Sequence, residues 1–599
     1  MTGGCGRRFA AFAWLASALS VASCSSERAI PVEIVHSEAP PTWFEDGWSY
    51  YEVSPDRSSA LFGARFGFRL IDLESGRVDR DRYLGAMDRV TEATFLRDGR
   101  LARSGIRSGE EGWFTEGADT LVLSQVPLDA DPRWSPNGSL VAYYGAAGGG
   151  LFAGSPDDPT RYDFDGFVTG VAWASGGDIV YALVDHEDGL SLLVQITVAN
   201  HTVDTVMGGL DATARFSSIA VSPDDSRAYI ALAGDRAPDP EDRHRPEAQR
   251  HMDIFELDLA TRELRAVVQT PGDDFFPQLR DEYLYWTHNE QREDIVVVPV
   301  VGGDARVVVE NGQIPYWSAD GSQVAFTVGG WSIANWALNL DAAAVNVDAD
   351  ATRLSDPTPI VEGYHEDFTP AWSPDGRWIA YHSHRSDEPV AFYAAEGGTD
   401  DIYLLRPGAP TEDEIRLTDF GWEVGVADWS PDSRRLVFDS WERGGAPGIS
   451  KPWVASIDSE SGRLIDLERL PLPPGVEGSL LAAWSPLGDE IAMVERIEGR
   501  LQALWILSLE GGSPERLLQF EASTYGGVDW TPDGQHIVYA ALVGERMQLF
   551  SVSRARPNES RQLTSDRASL VQPQVSPDGR WIAATRLTRS KQLRRLVLR

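Results

Sequence analysis

The tetrapeptide "SPDG" at Ser373 belongs to a set of near-copies spread along the whole chain. The others begin at Ser54, Ser135, Ser222, Ser318, Ser430, Ser485, Thr531 and Ser576, with worn copies at Leu96, Ala174 and Leu279. The twelve starts lie 39 to 57 residues apart. A period in that range marks units that bury their apolar faces only against one another, as in propellers. The phrase itself reads as a type I turn. Ser caps it, Pro presets φ at the second position, Asp suits the third, and Gly takes a positive φ at the fourth. With a left-handed Gly, such a turn makes a three-residue hairpin loop, so each copy is expected to join two antiparallel strands.

The strand after each turn lines up in columns. Val141, Val324, Ile379, Leu436, Ile491, Ile537 and Ile582 fill one column. Tyr143, Phe326, Tyr381, Phe438, Met493, Tyr539 and Ala584 fill the column two residues on, with small residues such as Ala380 and Ala583 between them. Alternate side chains face opposite sides of a sheet. Both sides are therefore apolar, as in a sheet stacked on neighbours at each face. Trp134, Trp173, Trp317, Trp372, Trp429, Trp484 and Trp530 stand just before the turns. Their fixed repeat position predicts packing between units rather than an aromatic ligand cage. A third strand (Asp401–Pro407, for example) and a fourth (Ile415–Asp419) complete four strands per unit, which is a propeller blade.

The run W-S-P-D-G-x-x-I-A-Y, then D-I-Y, then R-L-T, resembles the TolB-type β-propeller repeat, a WD40-like unit also found beside the catalytic domain of prolyl-oligopeptidase-like peptidases. The resemblance covers about residues 42–599. It implies an all-β fold, read here as two consecutive six-bladed propellers of four-stranded antiparallel blades. The expected divisions are a signal peptide at 1–23, a linker and closing strand at 24–41, and propellers at 42–304 and 305–599. A seven-plus-five partition stays open. After the last turn two strands are expected, near 580–587 and 593–598. Closing strands are expected from 305–310 for the second ring and 31–36 for the first. No G-x-S-x-G occurs, so the hydrolase domain of the peptidase relatives is expected to be absent, as is TolB's own N-terminal domain.

The start of the chain has another character. Arg7 and Arg8 precede an apolar run from Phe9 to Ala22, too short and too rich in small residues for a good spanning helix. It ends in "VASC", which resembles the bacterial lipobox and implies cleavage before Cys24 and acylation of its thiol. The only other cysteine, Cys5, would leave with the signal. Ser25 after the cysteine points to the outer membrane, facing the periplasm. The formal charge of −38 argues against nucleic-acid binding, which needs basic patches.

Chemistry is sparse in the pattern. His382 and His384 stand two apart on one strand and so share a face, where both imidazoles can reach one divalent metal. His365, Glu366 and Asp367 precede the same blade as further candidate ligands. "DFDG" at Asp163 and "NVDADA" at Asn346 lack the spacing of a calcium loop. Long insertions at 233–252, 328–354, 383–400 and 440–453 are all expected to join second and third strands, where binding surfaces concentrate. Two functions follow. The first is a lipid-anchored cell-envelope scaffold without catalysis or cofactor, presenting propeller faces to a protein or glycan partner. The alternative is a metal-dependent lyase or hydrolase acting on a polysaccharide or peptide in the propeller channel.

Overall fold

The structure is a computed structural model. It describes residues 32–598 apart from 39–50, 65–66, 80–88, 97–99, 108–109, 116–120, 124–131, 145–149, 186–190, 211–218, 234–251, 271, 329–340, 362–365, 386–398, 420–424, 426, 442–449, 477, 480, 499–500, 510, 523–525, 545 and 558. Among the described residues there is no α-helix. The strands form ten four-stranded antiparallel sheets and one six-stranded sheet. The protein is a β-propeller.

One unit shows how the repeat phrase builds a sheet. Glu366–Trp372, Ile379–Arg385, Thr399–Leu405 and Ile415–Arg416 lie side by side in chain order. The hairpin between the first two strands is set by its own side chains. Gly376 has φ +70° and donates its N–H to the Ser373 carbonyl. Ser373 Oγ donates to Asp375 Oδ1 at 2.7 Å and accepts the N–H of Trp378. Asp375 in turn accepts the N–H of Arg377. The Ser373 N–H bonds the Trp378 carbonyl, so the loop is 374–377, one residue longer than expected. The longer loop is stable because Ser373 and Asp375 satisfy the amides it would otherwise leave bare. Arg57, Asp225 and Ser433 take the positive φ where Gly is absent.

Apolar clusters fill the gaps between sheets, in two circuits. The first runs from the sheet of Tyr51–Val53 through those of Arg89–Phe95, Arg133–Trp134, Phe167–Trp173 and Ile219–Val221 to one half of the six-stranded sheet, and back. The second runs from the sheet of Gly312–Trp317 through those of Glu366–Trp372, Asp428–Trp429, Leu481–Trp484 and Val528–Trp530 to the other half, and back. The large and small columns interdigitate in these gaps, as in the cluster of Ala371, Ala380, Trp429, Leu436 and Phe438. The Trp column is packed between sheets as expected. Trp317, Trp429, Trp484 and Trp530 are all buried.

The six-stranded sheet departs from the expected strand count. Tyr283–Pro299 and Trp581–Val597 are single strands of 17 residues each, paired antiparallel along their whole length. The two short strands expected near 580–587 and 593–598 are one, because nothing in "TRLTRSKQL" (Thr585–Leu593) breaks an extended chain and each residue has a partner on the facing strand. The unit at Leu279 likewise has no hairpin between its second and third strands. Each long strand serves both circuits. On one side Asp273–Arg280, residues 283–290, residues 591–597 and Glu33–Glu38 lie in order. On the other, Ser569–Val575, residues 581–589, residues 291–299 and Arg306–Glu310 do so. The third strand on each side thus comes from the last unit of the other circuit.

Candidate functional site

His382 is the best-placed of the sequence candidates, and the repeat explains it. It is the third residue after Ile379, which pairs with Trp372 to close its hairpin. Thr327 and Thr585 hold the equivalent place after Val324 and Ile582. Thr327 Oγ accepts the N–H of Thr369 in the next sheet at 2.9 Å, and Thr585 Oγ that of Ile314 at 2.8 Å. Thr287 does the same for Tyr51 in the first circuit. His382 also reaches the next sheet, where its Nε2 donates to the Gly425 carbonyl. The imidazole is buried, stacks edge-on with Phe368 at 4.9 Å, and its pKa is pushed down to about 4 by burial.

The other candidate ligands do not gather round it. Asp367 pairs with Ser383 while Phe368 pairs with His382, so Asp367 and His382 lie on opposite faces of the sheet. Glu366 pairs in register with His384. His365 lies outside the described residues, as do Cys24 and most of the long insertions. Among the described residues no three His, Cys, Asp or Glu side chains group as metal ligands. With Nε2–H given to Gly425, His382 has one lone pair left, on Nδ1, which is buried without a hydrogen-bond partner. That offers a metal one bond. "NVDADA" forms a tight turn in which Asp348 accepts the N–H of Asp350 and Thr352.

A second set of polar groups sits on the first strands, one residue before the Trp column. In the second circuit this position holds Tyr316, Ala371, Asp428, Ala483, Asp529 and Gln574. First strands neighbour one another around the circuit and so surround its bore. Asp428 accepts the N–H of Trp484 in the next sheet at 2.6 Å, and Asp529 accepts that of Val575 at 2.6 Å. Tyr316 skips a sheet and donates its hydroxyl to Asp428 at 2.6 Å. Burial raises the Asp428 pKa. Burial and the charge of Asp428 together raise that of Asp529 well above the usual carboxylate range. The Tyr316 hydroxyl is held well above 10 by burial and by Asp428.

The first circuit places other groups at the same position: Glu52, Thr94, Arg133, Ala172, Ala220 and Gln278. Glu52 Oε1 accepts from Thr94 Oγ and from the N–H of Phe95. Gln278 Oε1 accepts the N–H of Val53. Arg133 spans the bore, with its guanidinium 5.3 Å over the Phe276 ring and 3.5 Å from Glu52. Indole N–H groups return the stitch: Trp173 donates to the Arg133 carbonyl, Trp429 to Ala371, Trp530 to Ala483 and Trp317 to Gln574.

The repeat phrase, the four-stranded sheets and the closed circuits agree. The chain is a β-propeller protein whose repeats resemble those of TolB. No protein-family model matches it. It is 28% identical over 218 residues to the uncharacterized peptidase YuxL of Bacillus subtilis, covering 36% of this chain and 28% of that protein. It is 31% identical over 98 residues to the uncharacterized protein Atu1656 of Agrobacterium fabrum, covering 16% and 32%. The chain thus spans about a third or less of these curated relatives. Among solved structures, the putative TolB from Agrobacterium tumefaciens superposes with a TM-score of 0.37 and 19% identity, over 50% of this chain and 99% of that one.

The bore residues of this propeller have a sequence signal of their own. The signal is the variable residue before each invariant-looking Trp: Arg in "PRW", Tyr in "PYW", Asp in "ADW" and "VDW". The Trp column keeps one residue type, while the variation in the bore stands one place earlier.

Proposed function

We propose that this protein is a rigid binding scaffold of the bacterial cell envelope. It is held to the outer membrane by acylated Cys24 and presents its propeller faces to a protein or glycan partner in the periplasm. The observation that supports a scaffold is the strand exchange. Residues 283–299 and 581–597 pair without interruption and are shared by both circuits, which fixes the two rings to each other. A surface fixed in advance loses little entropy on binding. The commitment of His382 to Gly425 supports the same reading, since it gives the imidazole a structural task. The lipobox-like "VASC" supports the anchor.

Two measurements test this. Cys24→Ala should move the protein from the membrane fraction to the soluble periplasmic fraction; unchanged membrane retention overturns the anchor. Metal analysis of the purified protein tests the scaffold against the metalloenzyme. Stoichiometric divalent metal that is lost in a His382→Ala, His384→Ala double variant would replace the scaffold reading with the catalytic one.

A further inference from the structure

The bore of the first circuit carries an unusual charge for so acidic a chain. Three side chains from three different sheets come together there among the described residues: Glu52, Arg133 and Arg280. Glu52 is spent on Thr94, Phe95 and Arg133. Arg280 has no such partner. Among the described residues no carboxylate lies within ion-pair distance of it. Its Nε and Nη2 both donate to the Val53 carbonyl, at 3.0 and 2.7 Å, and its Nη1 to the Leu279 carbonyl at 2.9 Å. Burial lowers its pKa; the charge of Glu52 opposes that shift, and Arg133 adds a smaller lowering contribution. Among the described residues, two guanidiniums thus face one carboxylate.

The geometry of the guanidinium says what the excess charge can take. A guanidinium has five N–H donors, one on Nε and two on each Nη. The three bonds to carbonyls leave one N–H on Nη1 and one on Nη2, the pair that forms a fork. A fork of this kind matches the two oxygens of a carboxylate. The carbonyl bonds hold the group still, so the fork is oriented before any ligand arrives. Arg280 is the last residue of the first strand Asp273–Arg280, beside its turn, and is only half-buried. The second circuit shows the contrast. Its bore carries Asp428 and Asp529, and its six equivalent positions include no cation.

We propose that the turn-side mouth of the first bore is a carboxylate-binding site. The fork of Arg280 receives the ligand's two oxygens, and Arg133, braced on Phe276, supplies the second positive charge. The site names a chemical class of ligand for the scaffold. It rests on the ring alone, so the fate of the Cys24 variant leaves it untouched.

Calorimetric titration of the intact protein tests the site with three probes: trialanine, trialanine amide and galacturonate. Trialanine, galacturonate or both should bind saturably, and the amide should not. A response to trialanine alone assigns the carboxylate to a peptide end, and one to galacturonate alone assigns it to a sugar acid. Arg280→Gln should weaken binding about tenfold or more, and Arg133→Gln should weaken it less. Equal binding of amide and acid, no saturable binding by about 10 mM probe, or unchanged affinity in Arg280→Gln overturns the proposal. If Arg280→Gln fails to fold, melting of the unaltered protein decides. The acids must raise its Tm where the amide does not, and equal shifts overturn the site.

Discussion

The indole N–H of Trp317 donates to the backbone carbonyl of Gln574 at 3.2 Å, across 257 residues of sequence. The bond joins the first sheet of the second circuit to the last and repeats the stitch made by Trp173, Trp429 and Trp530. Trp317→Phe keeps the packing and removes the donor to the Gln574 carbonyl, which stays within the ladder opposite Ala583. The expected loss is about 1 kcal/mol in urea unfolding. Trp372→Phe is the control, because Trp372 Nε1 is buried without a partner. Removing that donor should cost nothing or stabilise. Equal losses in the two variants would show that the stitch adds nothing beyond packing.

These bonds mark the limit of what the sequence made legible. Turn chemistry and the apolar columns gave the blades, since both are local rules with a fixed period. The 17-residue strands were not legible. "THNEQREDIVVV" contains Asn289, Glu290 and Asp294, which read as a polar break. Only pairing with residues 582–593, Asn289 with Lys591 among them, turns that stretch into strand. His382 and His384 suggested a metal because spacing shows a shared face, whereas the bond to Gly425 depends on the next blade. Arg280 was hidden inside a worn copy, "LRDE", which looked like damaged grammar.

The pH dependence of the second circuit has two opposed contributions around Gly425. His382 is held neutral, with its pKa down to about 4 from 6.5. An unfolded His takes up a proton below pH 6.5 and the folded one does not. Stability is therefore lost as pH falls from about 6.5 towards 4, by up to roughly 3 kcal/mol. Asp439 is pushed up to about 6 by burial, against its bond from Ser479. The unfolded carboxyl ionises above about 4, so this contribution is lost as pH rises from about 4 to 6. Asp439→Asn should flatten the second slope and stabilise at pH 7. His382→Thr, the residue used in sister blades, should flatten the first. Melting curves from pH 4 to 8 check both, and parallel profiles for the variants and the parent would refute the assignment.

Tyr316 and Asp428 hold the second bore across an intervening sheet. Tyr316→Phe removes one acceptor bond from a carboxylate that burial already disfavours as an anion. A double-mutant cycle with Asp428→Asn should give a coupling energy of about 1 kcal/mol or more. Asp428→Asn should also lower the pKa of Asp529, because the charge of Asp428 is one of the causes that raise it. Carboxyl titration by NMR reads that shift directly. An Asp529 that titrates unchanged would place the two carboxylates out of electrical contact.

The strand exchange makes the end of the chain part of the first circuit. Leu593 is fully buried in a cluster with Tyr51, Val53, Phe62 and Tyr285. Leu596 is buried with Tyr229, Ile254 and Trp286. Leu593→Ala should therefore cost about 2–5 kcal/mol, and the damage should appear more than 500 residues upstream in sequence, on the scale of the 540-residue separation of Tyr51 and Lys591. Hydrogen exchange in Tyr51–Val53 and Ser59–Ala64 should quicken, with that in Val528–Trp530 less affected. Because residues 283–299 and 581–597 pair along their length, deleting 591–599 strips the sheet of its third strand on the first-circuit side and leaves Glu33–Glu38 without a partner. Loss of protection confined to the second circuit in either variant would contradict the exchange and restore a separate closure for each ring.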